Sequence, residues 1–408
     1  MKSFTQYWLR HFLLISQSIA PPVIMGSAQF APQYEPQDAL VEDYRLLDPQ
    51  GRSVSLPDDW PESIVSPMAW TAEDLGSRHI FQLTKPEMSE IQHWVHEYSD
   101  SKGSIDAVNN ETAVLPLLQE RLVRVRQSLH TELGLAVLRG FDPSCISMRE
   151  NLLVLAAVAS HVSSKRAAQS GGKIVVHMTD LATTPTDRLP APYSNSILPF
   201  HTDPGADVVA MYVLKPAAMG GNGTFSSVST IYNSLAASYP DLLRELGKPS
   251  WPFNGVGAAK NSYSRRPVIF IGTFGEPEMF FSRGSLIKAP HGNRSPGIPD
   301  LTRLQCIALD ALHFTAESTA CTISYQMGDI VFFNNRRLLH GREGFNDDLE
   351  GDMQTKRHIL RLWLQDEEMS GLPPEALITT WKRTSELQDS YTNKENESLR
   401  WPCEPDRR

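Results

Sequence analysis

In the segment Leu198-Pro199-Phe200-His201-Thr202-Asp203, an imidazole and a carboxylate stand two residues apart behind an apolar lead-in. On an extended backbone alternate side chains share a face, so His201 and Asp203 point at one place. Alone the pair says little: a His-x-Asp triplet arises by chance in many chains, and its ordinary meaning is a hydrogen-bonded surface pair. A third ligand changes its weight. Gly328-Asp329-Ile330-Val331-Phe332-Phe333-Asn334-Asn335 reads as an apolar strand and runs through Arg336-Arg337-Leu338-Leu339 to His340, a histidine able to reach across a barrel. Two histidines and one carboxylate on one face of a metal leave its other positions open, the ligand set that suits non-haem Fe(II) working on oxygen.

Further along, alternation in Arg357-His358-Ile359-Leu360-Arg361-Leu362-Trp363-Leu364 places Arg357, Ile359, Arg361 and Trp363 on one face and His358, Leu360, Leu362 and Leu364 on the other. The leucine face calls for a helix layer. The arginine face makes sense if it lines a polar cavity, because a buried guanidinium must meet an anion, and its fork matches a carboxylate. The plain alternative is a solvated strand whose arginines pair with surface acids.

Around these strands the pattern is mixed. Lys85–Ser101 has Met88, Ile91, Trp94 and Val95 at helical offsets with Pro86 suited to a first turn. Leu118, Leu122, Val125, Leu129 and Leu133 follow one helical face, Leu135–Leu138 reads as a strand, and a further helix is expected over Met148–Ser164. Beyond residue 190 strands and turns dominate, interrupted by one helix announced by the capping pattern Thr302-Arg303-Leu304-Gln305. The expected organisation is an N-terminal extension and linker over 1–65, a catalytic domain over 66–370 and a charged tail over 371–408.

The 408 residues carry 38 Lys+Arg against 47 Asp+Glu, a net charge of −9 with no basic stripe, which argues against a nucleic-acid partner. Cys145, Cys306, Cys321 and Cys403 form neither a disulfide framework nor a zinc motif. No stretch approaches the roughly 20 apolar residues of a membrane span. A cytoplasmic location is expected. The short run Phe12-Leu13-Leu14-Ile15 behind Lys2 and Arg10 is the one feature that would suit a targeting segment.

The order His201-x-Asp203, Gly220-Gly221, Gly328-Asp329, Asn334-Asn335-Arg336, His340, Arg357 and Arg361 resembles the taurine/2,4-D dioxygenase (TauD/TfdA-like) family, a branch of the clavaminate-synthase-like Fe(II)/2-oxoglutarate oxygenases. The resemblance spans about Ser66–Glu367 and is specific in combination. It implies an α+β fold built on a double-stranded β-helix, the jelly-roll or cupin-like barrel, with flanking helices. It implies Fe(II) held by His201, Asp203 and His340, 2-oxoglutarate as co-substrate, and Arg357 on the distal carboxylate of that co-substrate. Relatives place a threonine or serine shortly after the glycine pair to help hold this carboxylate. Here the aligned position is Gly223, so Thr224, one residue later, is the candidate. Arg361 matches an arginine that relatives use on an acidic substrate group or near the co-substrate, and Asn195, in Tyr193-Ser194-Asn195, is a candidate for the substrate entrance.

The implied reaction takes dioxygen and a small, acidic organic substrate, with hydroxylation, desaturation or cyclisation as outcome and succinate and carbon dioxide as co-products. Secondary metabolism is the natural setting for such an enzyme. Two other readings stay open on sequence: a non-catalytic barrel that binds metal or 2-oxoglutarate, and an oxygen-using metalloenzyme without 2-oxoglutarate. The oligomeric state is not legible.

Overall fold

The computed structural model describes residues 33–47, 54–163, 165–182, 189–254, 263–288, 294–347, 356–390 and 397–405. The candidate targeting segment lies outside them. Within them the chain is α+β, organised on two sheets. The larger has seven strands in the order Ile80–Gln82, Leu135–Arg139, Ile330–Asn334, Val208–Lys215, His358–Gln365, Lys165–Ala167, with Val175–Met178 also paired to His358–Gln365. The smaller orders Cys321–Ile323, Gly223–Ser227, Leu338–Arg342 and Leu198–His201, each neighbour antiparallel.

The two-residue period of the His358–Gln365 strand decides which face meets what. Leu360, Leu362 and Leu364 are buried in a core shared with Ile91, Leu122, Leu129 and Leu155 of three helices. Each leucine removed from water there contributes on the order of 1.5–3 kcal/mol. Ile359 and Trp363, on the opposite face, join Val209, Val331, Phe225 and Leu338 in a second core drawn from both sheets. Arg361 lies on that same inward face, so the strand carries charge into a space otherwise packed with apolar groups.

The helices of the first core are Lys85–Asp100, Gln119–Thr131 and Met148–Ser160. Thr84 and Ser147 each close a capping box, with Glu87 and Glu150 reaching back to the cap, which satisfies backbone donors left over at the helix start. The Arg303–Thr319 helix begins at Thr302, whose hydroxyl accepts from the Gln305 N–H, as its sequence predicts. Its buried stripe of Ile307, Ala308, Ala311 and Leu312 backs the smaller sheet in a third core.

Two stretches differ from their sequence reading. Within 1–65, read as extension and linker, Asp38–Leu47 is a helix whose Val41 is buried beside Leu309 and Leu312, and Ile64 is buried in the same core. Within 371–408, read as a charged tail, Leu377 and Trp381 of the Glu375–Ser390 helix pack on Phe280, and Trp401 is buried in the first core. Polar composition hid both because only a few apolar side chains anchor each segment.

Candidate active site

The register of the smaller sheet brings the two histidines together. His201 ends one strand and is paired directly with His340 on its antiparallel neighbour. Their ring centroids lie 4.1 Å apart. Asp203 follows two residues later and is fixed through its backbone: its N–H donates to Asn335 Oδ1 at 2.8 Å, while Asn335 Nδ2 donates to the carbonyls of Asp203 and Ala206. One potential ligand atom from each of His201, Asp203 and His340 lies within 4.8 Å of the others, and all three residues are buried.

Electrostatics keep these groups in the protonation states that can ligate a metal. Burial lowers the pKa of both imidazoles; His340 falls well below its ordinary value, with His201 beside it adding to the effect. Both rings are therefore neutral near neutrality, the form that ligates metal. Burial opposes ionisation of Asp203, yet the Arg361 guanidinium holds its carboxyl below the usual carboxylate range. His201 Nδ1 lies 2.9 Å from the Pro199 carbonyl, which can only accept, so the ring proton sits there and Nε2 keeps its lone pair. His340 Nδ1 is buried with no hydrogen-bond partner among the described residues. Two neutral imidazoles and one carboxylate fit the donor set that Fe(II) takes.

Asp203 is oriented from the large sheet. Trp363 Nε1 donates to Oδ2 at 2.9 Å, and Arg361 Nη1 donates to Oδ1 at 3.2 Å while its Nε donates to Gln169 Oε1 at 3.0 Å. The three residues face a cavity of about 360 Å³ whose walls include Met178, Met211, Phe225 and Tyr325. Arg357 lines the same cavity at 3% exposure. Its Nε and Nη1 are buried and bond to no described residue, although its backbone N–H donates to Asp347 Oδ1. Arg342 stacks on the same Phe345 ring as Arg357, with the guanidinium carbons 4.9 and 5.1 Å from its centroid. The Asp347 carboxylate is near enough to interact with the Arg357 guanidinium but makes no hydrogen bond to Nε or Nη1, and buried donors left unbonded are expensive, so this corner suits a further anion.

The other sequence candidates fall differently. Arg361 is in the cavity, but its charge is committed to Asp203 and Gln169 rather than to open space. Thr224 is not among the cavity walls: it pairs with Thr322 and Gly341 between Gly223 and Phe225, and alternation turns it away from the inward face that Phe225 takes. Asn195 is exposed and borders a separate surface depression with Met219 and Phe345. His177 Nδ1 meets His358 Nε2 at 2.8 Å and its Nε2 meets the Pro402 carbonyl, so both ring nitrogens are occupied within the fold. Asn335, in the Asn334-Asn335-Arg336 run, clamps the backbone of Asp203. Sequence reasoning missed Tyr325, which sits in no motif. It also missed the Trp363–Asp203 bond, whose signal was available in the shared face of Arg361 and Trp363.

The model of the Taurine catabolism dioxygenase TauD, TfdA family matches residues 97–363. The chain belongs to this family. Among TauD/TfdA relatives, it is 29% identical over 318 residues to the taurine hydroxylase-like protein SAT17 of Stachybotrys chartarum, covering 75% of this chain and 81% of that protein. It is 25% identical over 261 residues to FR-33289 synthase of Streptomyces rubellomurinus, covering 62% and 76%. Its fold is similar to that of the non-heme iron oxygenase OrfP in complex with Fe and alpha-ketoglutaric acid, with a TM-score of 0.55 at 18% identity over 70% of this chain and 93% of OrfP. Asparagine oxygenase in complex with Fe(II), 3-hydroxyasparagine and succinate gives a TM-score of 0.56 at 16% identity, again over 70% and 93%. This TauD/TfdA chain is an iron- and 2-oxoglutarate-dependent dioxygenase.

Proposed function

We propose that the two sheets form the double-stranded β-helix of this family and that the cavity between them oxidises a small organic molecule at the expense of dioxygen and 2-oxoglutarate. The observation that carries this reading is the convergence of His201, Asp203 and His340 in a cavity that also holds the Arg357 guanidinium, whose Nε and Nη1 bond to no described residue. His201, Asp203 and His340 would hold Fe(II), and Arg357 the distal carboxylate of 2-oxoglutarate. With iron bound, 2-oxoglutarate supplies an oxidative decarboxylation to succinate and carbon dioxide, coupled to oxidation of a substrate C–H bond.

The chain's own residues prepare that chemistry. Trp363 and Arg361 fix the rotamer of Asp203, Asn335 fixes its backbone, and the Pro199 carbonyl fixes the tautomer of His201. Met178, Met211 and Phe225 keep the walls apolar and exclude water from the reacting groups. A cavity of about 360 Å³ that also takes the co-substrate suits a substrate of roughly amino-acid size. OrfP and asparagine oxygenase are recorded with hydroxylated arginine and asparagine, compact molecules with a carboxylate. A small acid of that kind fits here, with Arg361 able to serve it only by loosening its hold on Asp203.

The test is succinate formation from 2-oxoglutarate in purified protein, with and without Fe(II). Iron-dependent succinate that disappears in His201→Ala and Asp203→Ala supports the reading. Succinate formation that persists in both variants excludes the proposed ligands.

A further inference from the structure

The loop Gly220-Gly221-Asn222-Gly223 enters the smaller sheet against the buried anion corner. At Gly221, with φ +71°, a side-chain β-carbon would lie 3.3 Å from Arg357 Nε. At Gly223 the crowding is far worse: a β-carbon would fall 1.9 Å from the Tyr325 hydroxyl and 2.6 Å from its ring. Gly223 is paired with Ile323, and Tyr325 lies two residues further along, so the phenol reaches back over the space that the glycine leaves. Tyr325 is 8% exposed and lines the metal cavity, yet its hydroxyl makes no hydrogen bond with any described residue. The hydroxyl is not sealed into the core but opens to the cavity that Arg357 also lines, where it is free to donate to a bound molecule. Burial and the nearby acids push its pKa up against the opposing pull of Arg357, so the group stays protonated and can donate.

We propose that the Tyr325 hydroxyl donates a hydrogen bond to the distal carboxylate of 2-oxoglutarate beside Arg357, and that Gly223 is glycine because the phenol fills the volume its side chain would need. The inference rests on the reading of Arg357 as the anchor of that carboxylate. It replaces Thr224, whose side chain is on the other face, with a donor from a different strand segment. It makes Gly223 and Tyr325 a coupled pair: either residue changed alone spoils the site through the same hydroxyl.

The experiment is calorimetric titration of the anaerobic Fe(II)-loaded protein with two keto acids, 2-oxoglutarate and 2-oxopentanoate, which lacks the distal carboxylate. Tyr325→Phe keeps the ring and should weaken 2-oxoglutarate binding roughly 10- to 100-fold while leaving 2-oxopentanoate unchanged. Gly223→Ala should cause a similar loss in the native background and no further loss in a Tyr325→Leu background. Unchanged 2-oxoglutarate affinity in Tyr325→Phe, or equal weakening of both keto acids, overturns the assignment, and additive losses overturn the coupling. Arg357→Ala separates the two layers: if it leaves 2-oxoglutarate affinity intact, the anchor reading itself fails, whatever Tyr325→Phe does.

Discussion

Asp203 is held from two distant parts of the chain, by Asn335 from the turn before His340 and by Arg361 and Trp363 from the His358–Gln365 strand. Removing Asn335 leaves the Asp203 N–H buried without its acceptor. Asn335→Ala is therefore expected to lower Fe(II) affinity by about 10- to 100-fold, as supports of a ligand commonly do, which competition with a metal indicator dye would measure. Arg357 makes the sharper case. Truncating it removes one partner of a buried charge pair, and Arg357→Ala should weaken 2-oxoglutarate binding by roughly 2–5 kcal/mol, or about 30-fold to several thousandfold. An unchanged dissociation constant would place the co-substrate elsewhere. That His201, Asp203 and His340 come together and that Arg357 and Arg361 face one cavity was legible in part because extended backbone repeats every two residues, a period that His201, Asp203, Arg357 and Arg361 obey. Thr224 was misread for the same reason: a shift of one residue in a strand turns a side chain to the opposite face. No local signal marks Tyr325, since its position depends on the Gly223–Ile323 pairing between segments far apart in the chain.

At the scale of elements, the helices and strands with strong periodicity appear where the sequence placed them, and the capping residues set their starts within a residue or two. Segments held by one or two long-range contacts did not reveal themselves. The C-terminal stretch is the clearest example: Trp401 is 1% exposed, its indole N–H donates to Asp106 Oδ1 at 2.8 Å, and Arg166 stacks on its ring. Arg400 pairs with the same Asp106. A composition of Lys, Glu, Asn and Ser conceals an anchor that closes the helical core. Trp401→Ala should cost about 3–5 kcal/mol of unfolding free energy, the usual range for emptying a buried aromatic site. Leu399→Ala, two residues away and 64% exposed, should change stability by less than about 0.5 kcal/mol. Urea denaturation of the two variants checks the contrast, and equal effects would mean that the tryptophan does not anchor the tail.

For the whole molecule, the charge balance of −9 and two half-buried histidines set the response to pH. His313 is pushed down to about 4 by burial and then by Arg283, and His358 to about 3 by burial and then by His177 and Arg357. In the folded chain these rings refuse protons that the unfolded chain accepts below about pH 6.5. Their contribution to stability is thus fully present above that value and is lost as pH falls toward 4 and 3, at about 1.4 kcal/mol per histidine per pH unit. The urea midpoint should be lower at pH 5 than at pH 7.5, and His358→Gln should flatten that slope; a midpoint independent of pH over this range would contradict the assignment. Across the fold, burying the leucine face of one strand against helices turns its other face, with Arg361 and Trp363, toward Asp203 in the His201–Asp203–His340 cluster, so packing and chemistry share one alternation. Anaerobic titration of the Fe(II)-loaded protein with 2-oxoglutarate, followed by visible absorption, tests that arrangement most directly. A saturable charge-transfer band in the native protein that is absent in Asp203→Ala is the expected result. A band of equal intensity and affinity in Asp203→Ala would contradict an iron centre built on His201, Asp203 and His340.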